Sequence, residues 1–259
     1  MIGFWTAFNQ LYYTFPVFLE QWSNTSSVYN GIHSFFPWLA ETFGTKEGTI
    51  SAISMTSFNA FFIILFQIVI STLVMKLKPL NAMIGGIFVL SIGVSLMFAT
   101  QNGWFLMLGI LIFAIGEMSS SPKFTEYIGR IAPSDKVALY IGTSYLPIAA
   151  SHQIAGILAG SVYGKMGDKL FLLKTEILKR HLEIQEISDK FSQTDYYNKA
   201  AELMGFSNQQ QLTDFLWTAY NPSRVWYVYA GIGFTTVIAL ILYDKFILKS
   251  PKLQKKSNI

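Results

Sequence analysis

The sequence predicts an all-α membrane protein, with six transmembrane helices and an extra helical insert before the last one. Three observations point there. The chain of 259 residues is 52% hydrophobic and only 13% charged, against about 25% charged in an average soluble domain. Its mean hydropathy is +0.39. Six stretches are apolar over about the 20 residues that a helix needs to cross the hydrocarbon core. None of them alternates with period two, so helices rather than barrel strands satisfy their backbone groups in lipid.

The first expected span runs from about Met1 to Trp22, the second from Thr49 to Met75 and the third from Pro79 to Thr100. The fourth runs from about Trp104 to Ile128 and the fifth from Val137 to Tyr163, so that residues 1–164 hold five spans. The sixth occupies residues 225–248 and a basic tail follows over 249–259. The connections orient the bundle. The turn KLKP at 76–79, the connection 123–136 with Lys123, Arg130 and Lys136, and the tail with Lys249, Lys252, Lys255 and Lys256 fall on one side if the spans alternate. The loop 23–48 and the turn TQNG fall on the other. An excess of lysine and arginine marks the cytoplasmic side, so both termini are expected there, in a multi-pass protein of the plasma (inner) membrane.

Residues 165–224 differ in composition, with acids and bases in balance. LFLLKTEILKRHLEIQEISDKF reads as one amphipathic helix carrying Leu173, Ile177, Ile184 and Ile187 at helical spacing. AAELMGFSNQQQLTDFLW reads as helix, turn, helix. The region is expected outside the cytoplasm, lying on or beside the bundle. The plain alternative is a water-exposed hairpin with no ligand role.

Composition excludes several classes. There is no cysteine, hence no disulfide, thiol chemistry or thiolate metal site. His33, His152 and His181 are scattered, without metal-ligand spacing. The net charge of +4 resides at segment ends, which suits membrane topology and not a nucleic-acid footprint. Met1 is followed by IGFW with no basic region, so no cleavable signal peptide is expected. Nothing pairs a nucleophile with a base, so an enzyme is not expected.

Polar residues at membrane depth are costly unless they face a partner or a water-filled cavity. The first span carries Asn9, Gln10, Tyr12, Tyr13 and Pro16, and the second carries Asn59 among several hydroxyls. The fourth carries Glu117 and three serines, and the fifth carries Ser144, Tyr145, Ser151, His152 and Gln153. Four spans are thus expected to line a cavity, with the third and sixth packed outside it. Glu117 is the only carboxylate well inside a span. Low dielectric favours the protonated form of a carboxyl, which suits a proton-coupled site or a grip on a cationic substrate group. The alternative is a fixed strut to a cation, for which this chain offers no candidate at matching depth. Pro16 and Pro122 are expected to mark helix kinks, and at Pro122 the helix is expected to kink or unwind and free backbone carbonyls, as broken helices do at transport sites. His152 reads either as a proton relay or as a histidine simply bonded to a neighbour. Gly85, Gly86 and Gly93, and Gly156 with Gly160, offer small-residue faces for close helix packing.

Several stretches resemble one family. FWTAFNQ at 4–10 resembles the seventh-helix motif FW-x-x-[FY]-[DE]-Q of the proton-coupled oligopeptide transporters, a branch of the major facilitator superfamily. FNAFFII at 58–64 resembles the eighth-helix pattern, GEMSSSP followed by IAP resembles the tenth-helix signature, and YIGTSYLPIAASHQIAGILAG at 140–160 resembles the eleventh helix. The resemblance implies that the six helices form one half of a major facilitator fold, the C-terminal half. It implies proton-driven symport of di- and tripeptides or a related small solute by alternating access, with protons as coupling ion and no cofactor. It also implies an N-terminal six-helix half, in the same gene or on a separate chain. Glu117 matches the glutamate that faces the peptide amino terminus and pairs with a lysine of that other half, and Asn59 matches the asparagine that bonds the peptide backbone. The eleventh-helix serine region corresponds to Ser144 through Ser151. Three positions depart from the pattern: the seventh-helix acid is Asn9, the proline after the eighth-helix asparagine is Ala60, and the eleventh-helix tryptophan is Ser144 beside Tyr145. The alternative is a membrane subunit or inactive fragment that does not transport and uses 165–224 as an interaction module.

Overall fold

The computed structural model of the protein describes residues 1–248, so the expected tail with Lys249, Lys252, Lys255 and Lys256 lies outside the described residues. Among the described residues there are helices, turns and three isolated bridges, but no strand. Four helical stretches among the described residues are long and apolar enough to cross a membrane. They are α5 (Ala52–Met75), α6 (Pro79–Ala99), α7 (Gly103–Ile131) and Pro222–Leu248, whose α-helical part is α14 (Val225–Tyr243). On α5, Ile64 is 82% and Ile68 80% exposed, a face that lipid covers without cost. The protein is a membrane-embedded helical bundle.

The other two expected spans are divided. The first consists of α1 (Ile2–Tyr13) and α2 (Phe15–Trp22), which meet at Thr14. The fifth consists of α8 (Val137–Thr143) and α9 (Tyr145–Leu158), which meet at Ser144, then a π-helical turn Ala159–Tyr163 and α10 (Gly164–Met166). Each break shortly precedes a proline, Pro16 or Pro147. A proline has no N–H for the carbonyl four residues back, here those of Tyr12 and Thr143, so the ladder loses a rung at that point. Thr14 and Ser144 keep right-handed helical dihedrals, and the chain continues beyond each of them as helix. Pro122 behaves differently. α7 runs through it without interruption, so of the two alternatives the helix does not unwind there; the one bond it lacks is to the carbonyl of Met118.

The closest helix pair is α6 with α7, and glycines set the distance. A Cβ on Gly86 would stand 2.8 Å from the carbonyl oxygen of Gly116, and one on Gly93 would stand 2.8 Å from that of Gly109. The pairing therefore brings two backbones into contact, as small residues do inside membranes. α14 covers another side of α6, and α5 lies against α7. The remaining expected glycine faces are not used: Gly85 and Gly160 meet nothing within 4 Å, and Gly156 meets only a Tyr13 ring carbon at 3.9 Å.

α1 and α2 run parallel to the fifth segment. Asn9 bonds Ser151, and Tyr163 bonds Gln21, both at a separation of 142 residues, while the Trp22 indole donates to the Gly167 carbonyl at a separation of 145. The loop expected over 23–48 contains two short helices, α3 (Ser26–Phe35) and α4 (Pro37–Phe43).

The insert holds three helices, α11 (Lys169–Lys179), α12 (Gln193–Leu203) and α13 (Gln209–Tyr220). The expected amphipathic helix through Phe191 stops instead at Lys179, so Ile184 and Ile187 are not helical. His181 adopts φ 57°, and the N–H groups of His181 and Leu182 return to the carbonyls of Leu178 and Ile177. That is a Schellman stop with histidine at the position glycine usually fills. α12 and α13 form the helix, turn, helix read from the sequence.

The insert is docked on the end of α2. Trp217 of α13 packs on Phe18 and Trp22, with ring centroids 6.0 and 5.7 Å apart. The Gln21 amide donates to Asp168 at 2.8 Å and accepts from the Tyr163 hydroxyl and the Lys169 backbone N–H. Inside the insert the buried Glu176 accepts from Arg180 at 2.7 Å and Tyr220 at 2.6 Å, tying α11 to α13. Desolvation works against this carboxylate, but the hydrogen bonds from Tyr220 and Arg180 outweigh it and hold Glu176 below the usual carboxylate range.

Two measurements test this packing. Gly93→Leu drives a side chain into the backbone of α7 and should lower the thermal midpoint in detergent by the equivalent of about 3 kcal/mol or more, whereas Gly85→Ala should leave it unchanged or raise it slightly. Because Glu176 has a depressed value in the folded state, its contribution is complete above the ordinary range, about pH 4.3, and is lost as pH falls through the lower folded value. Acid titration followed by Trp217 fluorescence should show α11 loosening from α13 below that pH, and Glu176→Gln should flatten the pH dependence while weakening that tie at neutral pH.

Candidate functional site

Glu117 lies at the centre of α7, fourteen residues from either end, or about 21 Å at 1.5 Å per residue. Its direction follows from its neighbours. Gly109, Phe113, Gly116 and Ser120 all meet α6, at spacings of three and four. Glu117 is one residue, hence about 100°, around the helix from Gly116. It therefore leaves the α6 face and turns toward α5, where the Asn59 amide nitrogen donates to its Oε2 at 3.0 Å.

Asn59 is 3% exposed, and its Oδ1 is buried with no hydrogen-bond partner. Tyr12 of α1 completes the group, interacting through its hydroxyl with Asn59 and lying in the field of Glu117. Among the described residues no lysine, arginine or histidine is within ion-pair distance of Glu117; Lys123, further along α7, is taken by Glu126 at 2.8 Å. The arrangement thus offers a carboxyl group, a spare carbonyl acceptor and a phenol on three helices. Such a set can accept N–H donors or an ammonium group, and can take up a proton.

A second group forms between α1 and α9. The Tyr13 hydroxyl lies 3.4 Å from His152 Nδ1, beside a cavity of about 410 Å³ that Gln153, Gly156 and Ile157 also line. The sequence reading named His152 and missed Tyr13 as its partner; the signal was a second tyrosine directly after Tyr12.

Other expected site residues serve packing or stand apart. Asn9 is buried and donates to Ser151 at 3.3 Å, joining α1 to α9. Gln10 is buried as well. Its amide nitrogen donates to the Thr6 carbonyl and its oxygen accepts from Thr14, which in turn reaches the Tyr229 hydroxyl at 3.5 Å. Ser144 donates to the Ile141 carbonyl at 2.7 Å at the helix break, and Tyr145 is 61% exposed. None of these four meets Glu117. Among the described residues no cluster of histidine and carboxylate could hold a metal ion.

No family model matches the chain, and neither does any curated protein or solved structure.

Asn9→Ala tests the packing role. It should lower stability in detergent by about 1 kcal/mol, the worth of one ordinary hydrogen bond, while leaving any ligand affinity of the Glu117 group unchanged in binding assays on the folded fraction.

Proposed function

We propose that the chain is the C-terminal half of a proton-coupled secondary transporter of the major facilitator type, symporting di- or tripeptides or a related small solute. One observation carries the reading: a carboxyl at the centre of a spanning helix whose hydrogen-bond partner is a neutral asparagine and which has no cation beside it among the described residues. A structural strut would have its counter-charge in place. A transport site instead leaves the acid to exchange a proton, a substrate ammonium and a cation from the opposite half.

Further features support it. The reading takes α1 with α2, which cover residues 2–22 or about 30 Å of helix, and α8 through α10, which cover 137–166, as two broken spans beside the four long ones. The polar trio sits on α1, α5 and α7, while α6 and α14 contribute nothing to it, as expected of spans outside a cavity. Alternation of the spans and the positive-inside rule put the termini in the cytoplasm and the insert on the opposite face. The reading requires a second six-helix half, on the same polypeptide or a separate one, to supply the other cavity wall. Asn59 Oδ1 then accepts from the backbone N–H of a bound peptide, and Glu117 receives its amino terminus.

Proteoliposomes holding this chain with its complementary half provide the test. Proton-driven accumulation of a dipeptide should be abolished in Glu117→Gln, which keeps the hydrogen bonding and removes the titration. Asn59→Ala should mainly raise the apparent KM, by about tenfold for one lost hydrogen bond to substrate. Normal gradient-driven accumulation by Glu117→Gln would refute the assignment.

A further inference from the structure

A cavity of about 320 Å³ opens where three spanning helices end together, at the start of α6, the end of α7 and the end of the 222–248 stretch. Its walls are of two kinds. Lys78 and Arg130 supply positive charge, while Leu80, Ile131 and Leu248 supply an apolar floor next to Tyr127. Tyr127 is fixed by a 3.2 Å hydrogen bond to Tyr243, which joins α7 to α14 behind the cavity.

The local charge is unbalanced. Glu126 is shared by Lys123 at 2.8 Å and Arg130 at 2.6 Å, one carboxylate between two cations. Arg130 remains 66% exposed, with donors to spare. Lys78 has no ion-pair partner among the described residues. Asp244, the one carboxylate among the described lining residues, brings a negative charge of its own, yet Lys78, Lys123 and Arg130 still outnumber Glu126 and Asp244 by one. An anion placed between Lys78 and Arg130 would therefore meet net positive charge.

The depth matters as much as the charge. Helices that cross the hydrocarbon core end at headgroup level, so a cavity at their ends faces phosphates on one side and acyl chains on the other. We infer that this cavity holds the headgroup of an anionic phospholipid, with Lys78 and Arg130 on its phosphate and the Leu80–Ile131–Leu248 floor covering the first methylenes of an acyl chain. A free phosphate would match the cations but leave the floor uncovered.

Native mass spectrometry of the full chain in detergent, with phosphatidylglycerol or phosphatidylcholine of identical acyl chains, tests this. Phosphatidylglycerol should be retained in preference, and Lys78→Gln with Arg130→Gln should cut that preference about thirtyfold, from about 1 kcal/mol for each basic residue near an anionic surface. Arg130→Lys should keep most of it. Lys46→Gln with Lys165→Gln, at the opposite end of the bundle, should keep all of it. Equal retention of the two lipids, or an unchanged preference in the double variant, overturns the inference. Displacement of phosphatidylglycerol by millimolar inorganic phosphate also overturns it, by assigning the cavity to a free anion. If the double variant does not fold, the lipid comparison and the phosphate competition on the unaltered chain decide the matter.

Discussion

The backbone contact between α6 and α7 sets the geometry on which the rest depends. Gly86 and Gly93 face Gly109 and Gly116 so closely that neither helix can rotate without a clash. This fixes which face of α7 is buried against α6, and thereby fixes the direction of the next residue. Glu117 follows Gly116 directly, so the glycine that seals one face aims the acid at the other. Inside a bilayer, where apolar side chains gain little by leaving lipid for one another, such close packing is a main source of helix association. Position and chemistry are thus coupled through two adjacent residues, and the coupling needs no loop or cofactor.

The same contact divides labour among the helices. α6 and α14 pack together, with Phe88 beside Phe234 at 5.8 Å and Gly233 against Ser91. They present no charged group to the interior. α1, α5 and α7 bring Tyr12, Asn59 and Glu117 to one place, from sequence positions far apart. Among the described residues a neutral amide, and no cation, holds the acid. A guanidinium or ammonium in that position would have locked it.

Much of this was legible in the sequence. The apolar runs located every long helix, because hydrophobic length is a strong signal and the spanning helices must be continuous in composition if not in hydrogen bonding. Glu117 and Asn59 stood out because polar groups at that depth need a reason. The turn between α12 and α13 was legible from Gly205, which adopts φ 80°, and from Asn208, whose side chain caps α13. The stop of α11 was not, since His181 takes the left-handed position without any glycine to announce it. Asn9 and Gln10 looked like Tyr12 in sequence but turned inward, because adjacent positions on one helix differ by about 100° and only the packing partner decides which of them is covered. The choice among glycines was hidden for a related reason: Gly86 and Gly156 look alike until a neighbouring helix is placed beside one of them.

The side-by-side run of the first and fifth segments has a mechanical corollary. Gln21 and Trp22 fasten one end of the pair to residues 163–169 through four hydrogen bonds, with the insert clamped over them. At the other end α8 has no buried residue and begins before the Ser144 break. Asn9 on Ser151 fastens the pair a second time further along, so the stretch of the fifth segment left unfastened is the one before residue 151, and a separation of the two rods would begin there, at the end away from the insert.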